Sequence, residues 1–126
     1  MADADPSPER FRELMVDEEP GIEEVMACVF GLQRHEVNTY LALREAPAST
    51  VAELADSLDR DRSNVNRSLS TLREKGLADR ERRLLDGGGH VYQYTATPAS
   101  EARELMHETL EEWTAYVHER IDEFGE

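Results

Sequence analysis

Along the chain the spacing of apolar positions changes period several times, and each change marks an element. Ile22, Val25, Met26 and Val29 recur every three or four residues, as one face of a helix does, and Gly31 suits the left-handed residue that ends it. Val37, Tyr40, Leu41 and Leu43 predict a second helix starting from Gln33. Pro47 stops it, because proline has no N–H to donate and its ring crowds the preceding turn. Ser49 or Thr50 then caps a helix whose apolar face is Val51, Leu54, Ala55 and Leu58, and Glu53 completes a capping-box pattern with Thr50. A further helix begins almost at once at Asp61 or Ser63, buries Val65, Leu69 and Leu72, and closes at Gly76.

The period then falls to that of extended chain. Leu77 to Leu85 is basic, Asp86-Gly87-Gly88-Gly89 signals a turn, and His90-Val91-Tyr92-Gln93-Tyr94-Thr95 is rich in strand formers, so a hairpin is predicted. Pro98 fits the first turn of a last helix, in which Ala102, Leu105, Met106, Leu110, Trp113, Val117, Ile121 and Phe124 keep one stripe opposite an acidic face. Residues 1–10 hold two prolines and little apolar surface, which predicts a disordered lead-in, with Phe11, Leu14 and Met15 able to dock locally. The expected organisation is a flexible acidic N-terminus over 1–19, an N-terminal helix over 20–32, a winged helix-turn-helix over 33–97 and a long C-terminal dimerisation helix over 98–126. The fold class is mostly α with a small β-hairpin wing.

Composition changes this picture mainly through charge. The 126 residues suit one domain and leave no room for a separate effector domain. No apolar run is long enough to span a bilayer and the N-terminus lacks a signal-peptide pattern, so a soluble, cytoplasmic protein without membrane contact is expected. One cysteine, Cys28, excludes an internal disulfide and a multi-cysteine zinc site. The net charge of -14 suits a salt-filled cytoplasm, where screening tolerates dense acid surfaces. Its distribution is uneven: residues 60–83 carry 8 basic against 4 acidic side chains, whereas 1–25 and 101–126 each carry 2 against 9. The one positive stretch coincides with the second of the two closely joined helices and the hairpin.

Residue types on that stretch point to duplex DNA. Off the buried stripe, the helix after Asp61 presents Arg62, Ser63, Asn64, Asn66, Arg67, Ser70 and Arg73, where a solvated helix usually carries Glu and Lys. A guanidinium fork matches guanine O6 and N7, and a carboxamide matches adenine N6 and N7. Arg62, Asn64, Asn66 and Arg67 are therefore the base-reading candidates. Ser49, Thr50, Arg60, Ser63, Ser70 and Arg73 are candidates for the DNA backbone, the first two beside the free N–H groups of a helix start. In the wing, Arg80, Arg82, Arg83 and His90 offer phosphate or minor-groove contacts. The competing reading of these arginines is a solvated surface pairing with Asp79 and Glu81.

The stretch TVAELADSLDRDRSNVNRSLSTLREKGLADRERRLL resembles the winged helix shared by archaeal TrmB-type regulators and their MarR and ArsR relatives, over about half the chain. The resemblance implies a transcription regulator whose polar helix enters the major groove and whose wing touches the flank. The resemblance does not include the C-terminal sugar-binding domain of full-length TrmB proteins, so a short single-domain form is expected, similar to haloarchaeal regulators, among them thiol-responsive ones with one cysteine near the N-terminus.

The flanking helices suggest how such a regulator assembles. Leu105, Met106, Leu110, Trp113, Val117, Ile121 and Phe124 form more apolar surface than a small winged helix can cover, so packing on a second copy is expected; the alternative is folding back on its own domain. Cys28 has two readings, a small buried apolar residue or a thiol that oxidises to its own copy across a two-fold axis. Scattered histidines, with no nucleophile elbow, phosphate loop or clustered ligands, argue against an enzyme, and no catalytic residue, cofactor or metal is expected. A winged module that binds protein, or one that answers a small ligand instead of an oxidant, is the alternative to a redox-responsive DNA reader.

Overall fold

The loose backbone groups at the helix ends are met by side-chain caps at some ends and by backbone bonds at others. The computed structural model describes residues 21–125, and the expectations for 1–19, the docking of Phe11, Leu14 and Met15 included, lie outside the described residues. The elements are α1 (Ile22–Phe30), α2 (Arg34–Glu45), α3 (Val51–Leu58), α4 (Arg62–Glu74), β1 (Ala78–Leu84), β2 (His90–Ala96) and α5 (Ala99–Asp122). Thr50 caps α3 by accepting the Glu53 N–H at 3.1 Å, and Glu53 returns the bond to the Thr50 N–H at 2.8 Å. At the start of α2 the Gln33 N–H donates to Glu36 Oε1 at 2.7 Å, while the Glu36 N–H donates to the Gln33 carbonyl at 2.9 Å. Asp61, and not Ser63, caps α4, accepting the Asn64 N–H at 2.8 Å. At the far end Gly76 takes φ +80, and Leu77 N–H donates back to the Leu72 carbonyl at 2.8 Å, which turns the chain sharply into the hairpin.

These ends aim the apolar stripes inward. Val37, Tyr40 and Leu43 of α2, Leu54 and Ala55 of α3, and Val65, Leu69 and Leu72 of α4 meet in one core, closed by Met26, Phe30 and Leu32 on one side and Leu77, Ala78 and Tyr94 on the other. Burying each valine, leucine, methionine or phenylalanine among them contributes roughly 1.5–3 kcal/mol. The two strands pair antiparallel in register from Ala78↔Ala96 to Leu84↔His90. The hairpin is tied to the helices at its base: Ser49 N–H donates to the Tyr94 carbonyl at 3.1 Å and Tyr94 N–H donates to that of Ser49 at 2.7 Å.

Thr97, between β2 and α5, is bound from three directions. Its N–H donates to the Leu77 carbonyl at 2.9 Å, its hydroxyl to the Gly76 carbonyl at 2.8 Å, and its carbonyl accepts the Tyr40 hydroxyl at 3.0 Å. From Pro98 the long helix then leaves across α1, burying Ala102. Leu105 and Met106, expected on a partner, instead pack against this chain's own core, because α5 passes close over Gly76; a Cβ there would lie 3.3 Å from Leu105 Cδ2. Beyond them Leu110, Trp113, Ile121 and Phe124 are exposed, as is Tyr116, which the stripe did not include. No helix among the described residues is long and apolar enough to cross a membrane.

Candidate nucleic-acid interface

The turn between α3 and α4 is short because Asp59 takes a left-handed φ of +54 and Asp61 already caps the next helix. That joint fixes α4 with Val65, Ser68, Leu69 and Leu72 inward. Its outward arc is then Arg62, Ser63, Asn66, Arg67, Ser70 and Arg73, all exposed. Asn64 is half-buried, turned toward the start of α2. The expected base-reading set therefore shares one helix but not one face.

Asp61 organises one edge of this arc. Besides its backbone cap it accepts the Ser63 hydroxyl at 3.0 Å and the Asn64 amide Nδ2 at 2.9 Å, and the Asn64 Oδ1 accepts the Arg67 guanidinium at 2.8 Å. The Asn64 N–H and the Ser63 hydroxyl hold the Asp61 carboxyl below its ordinary value of 3.8, helped by Arg60 and Arg67 nearby. Beside it a cleft of about 430 Å³ opens between the first turn of α2 and α4, lined by Gln33, His35, Arg60, Asn64 and Arg67 among others. Arg60 reaches into the protein surface there with Nη1 enclosed and without an acceptor.

Sequence reasoning missed the tie that fixes α2 against α4. His35 bridges Gln33 Oε1 at 2.6 Å and the fully buried Ser68 hydroxyl at 3.0 Å. A signal existed: Ser68 falls on the buried side of α4, where a hydroxyl must find a partner.

Ser49 is a correction. It is buried, its backbone is bridged to Tyr94 and its hydroxyl donates to the Ala46 carbonyl, so it serves the fold and has no donor to offer a phosphate. Thr50, by contrast, only accepts within the cap and keeps its hydroxyl proton free.

The wing arginines also divide. The register puts Arg80, Arg82 and Leu84 on the face of Tyr94, Tyr92 and His90, with Arg83 on the other face beside Glu81 and Asp79. Arg80 stacks over the Tyr92 ring at 4.0 Å, and His90 meets the same ring edge-on at 5.4 Å. Among the described residues no ion pair joins these arginines to Asp79 or Glu81. Cys28 is exposed on α1.

Comparisons with known proteins agree on the kind of protein. A family model described as "Sugar-specific transcriptional regulator TrmB" matches residues 26–100. An uncharacterized protein of Methanocaldococcus jannaschii is 32% identical over 80% of this chain and 76% of its own. Among solved structures, a possible transcriptional regulator from Methanosarcina mazei Go1 superposes with a TM-score of 0.73 at 27% identity, covering 86% of this chain and 92% of that one. A MarR protein from Peptoclostridium difficile shares the winged-helix fold at TM-score 0.54 and 20% identity, covering 83% of this chain and 66% of its own.

Proposed function

Because the chain belongs to the TrmB family of transcriptional regulators, which are not enzymes, we propose that it is a cytoplasmic, dimeric, sequence-specific reader of double-stranded DNA. The observation that carries this reading is the exposed arc of α4: three arginines, Asn66 and two serines on the one positive stretch of an acidic chain. In this reading α4 lies in the major groove with Arg62, Asn66 and Arg67 toward base edges. Arg60, Ser63, Ser70, Arg73 and the Thr50 hydroxyl hold phosphates, and Arg80 and Arg82 of the wing meet the flanking backbone, with His90 near its tip.

The exposed end of α5 supplies the dimer. Leu110, Trp113, Tyr116 and Ile121 of the helix, with Phe124 just past its end, give an apolar surface, and Val117 lies half-buried among them. A second copy covers it and sets the two α4 helices about 34 Å apart, on successive major grooves. Cys28, exposed on α1, is the redox candidate. In this reading oxidation links it to its copy and changes the separation of the two reading helices. The acidic remainder fits work in concentrated salt.

Gel shift against genomic fragments in molar potassium salt tests the reading. Binding that competitor DNA does not remove, and that Arg67→Ala weakens, supports it, whereas binding indifferent to Arg62→Ala, Arg67→Ala and Arg73→Ala together sinks it. For the thiol, oxidant followed by a non-reducing gel is expected to show a crosslinked dimer that Cys28→Ser cannot form. An oxidant response of DNA binding that persists unchanged in Cys28→Ser would falsify the switch.

A further inference from the structure

Resting on the DNA-reading function proposed above, we infer that Asn64 is not itself a base reader but the positioning residue of Arg67, anchored in turn by Asp61, so that the three act as one unit specifying one base pair. The first ground is where the side chains point. At about 100° per residue, Arg67 lies about 60° and Asn64 about 120° round from Ser70, at the centre of the exposed arc. Both residues border the cleft beside Gln33 and His35, but Asn64 is half-buried at its wall, while Arg67 is exposed at the arc's edge.

The second ground is the bonding. The carboxylate of Asp61 can only accept and the guanidinium of Arg67 can only donate, so the amide between them has one possible orientation, Nδ2 toward Asp61 at 2.9 Å and Oδ1 toward Arg67 at 2.8 Å. Each polar atom of Asn64 is thereby engaged within the helix surface. Arg67 gives one Nη2 donor to this relay and keeps its other N–H groups for an acceptor outside, which suits the O6 and N7 edge of guanine. A long flexible arginine fixed at 2.8 Å has already lost part of the rotamer freedom that binding would otherwise have to remove. Asp61 is placed for this by its own duty as the cap of α4, because the bond to the Asn64 N–H fixes the carboxylate beside the Asn64 side chain.

Selection of a preferred duplex from a randomised pool by the native chain, followed by affinities on duplexes changed one base pair at a time, tests this. Arg67→Ala is expected to lose on the order of tenfold or more of the preference at one base pair. Asn64→Ala and Asp61→Ser should relax that same base pair by a smaller factor and no other, and Asn64→Ala should add nothing in an Arg67→Ala background. Asp61→Ser keeps a hydroxyl to cap α4, and a merely structural role for Asp61 or Asn64 would weaken all duplexes alike. Relaxation by Asn64→Ala at a different base pair, or full additivity with Arg67→Ala, overturns the positioning role alone. A pool from which the native chain enriches nothing overturns the DNA-reading premise, and the assignment with it.

Discussion

At the scale of single residues, burial and hydrogen-bond capacity decide roles that residue type leaves open. Ser49 and Thr50 are neighbours with the same chemistry, yet one hydroxyl is enclosed and bonded to Ala46 while the other keeps its proton at a helix start. The sequence named both as candidates because nothing local distinguishes them; the difference comes from Tyr94, 45 positions on, pairing with Ser49. The sequence put Asn64 among the base-reading candidates, because its bonding to Asp61 and Arg67 depends on rotamers that a sequence does not show. Asp61 also yields a pH expectation. Its carboxyl is held below 3.8 in the fold, so the stability it lends α4 is present above that value and is lost as pH falls through the lowered one. Chemical denaturation at several pH values should show Asp61→Ala less stable than the native chain near neutrality, with the gap closing in acid.

At the scale of elements, periodicity and end signals carried most of the information. The capping box at Thr50, the stop at Pro47, the turn at Asp86 to Gly89 and the closure at Gly76 all stand where the pattern put them, because each rests on residues a few positions apart. Gly76 gives a sharp expectation: Gly76→Ala should cost about 1–2 kcal/mol for a side chain in left-handed backbone. Crowding of Leu105, 3.3 Å from the added Cβ, adds to that. Thermal melting would read it, and an unchanged midpoint would mean that residue 76 does not hold the left-handed backbone. The stripe of α5 was legible as one continuous face, but its division was not. Leu105 and Met106 are covered by the same chain only because the hairpin returns α5 over α1 and Gly76, a long-range consequence no helical period contains.

At the scale of the whole molecule, the uncovered half of α5 makes association a measurable property. Trp113 is 57% and Phe124 90% exposed, and Trp113→Glu is expected to yield a monomer by light scattering. Its affinity for a two-half-site duplex should fall on the order of a hundredfold once the linked second contact is lost. A dimer that survives this change would place its interface elsewhere. The charge map could forecast a cationic middle between acidic ends, but not that strand alternation sends Arg83 to the opposite side from Arg80 and Arg82. Finally, the three hydrogen bonds of Thr97 tie the junction of wing and long helix to the core. In the proposed dimer with Cys28 reduced, each reading head is thus tied to its shaft, and the pair acts as a caliper at one setting, which the Cys28 crosslink would reset. Adding one base pair between half-sites moves the second by 3.4 Å and turns it by roughly a tenth of a revolution. Such a caliper has no joint to follow that movement, so titration on duplexes with lengthened or shortened spacers should show affinity collapsing at the first step.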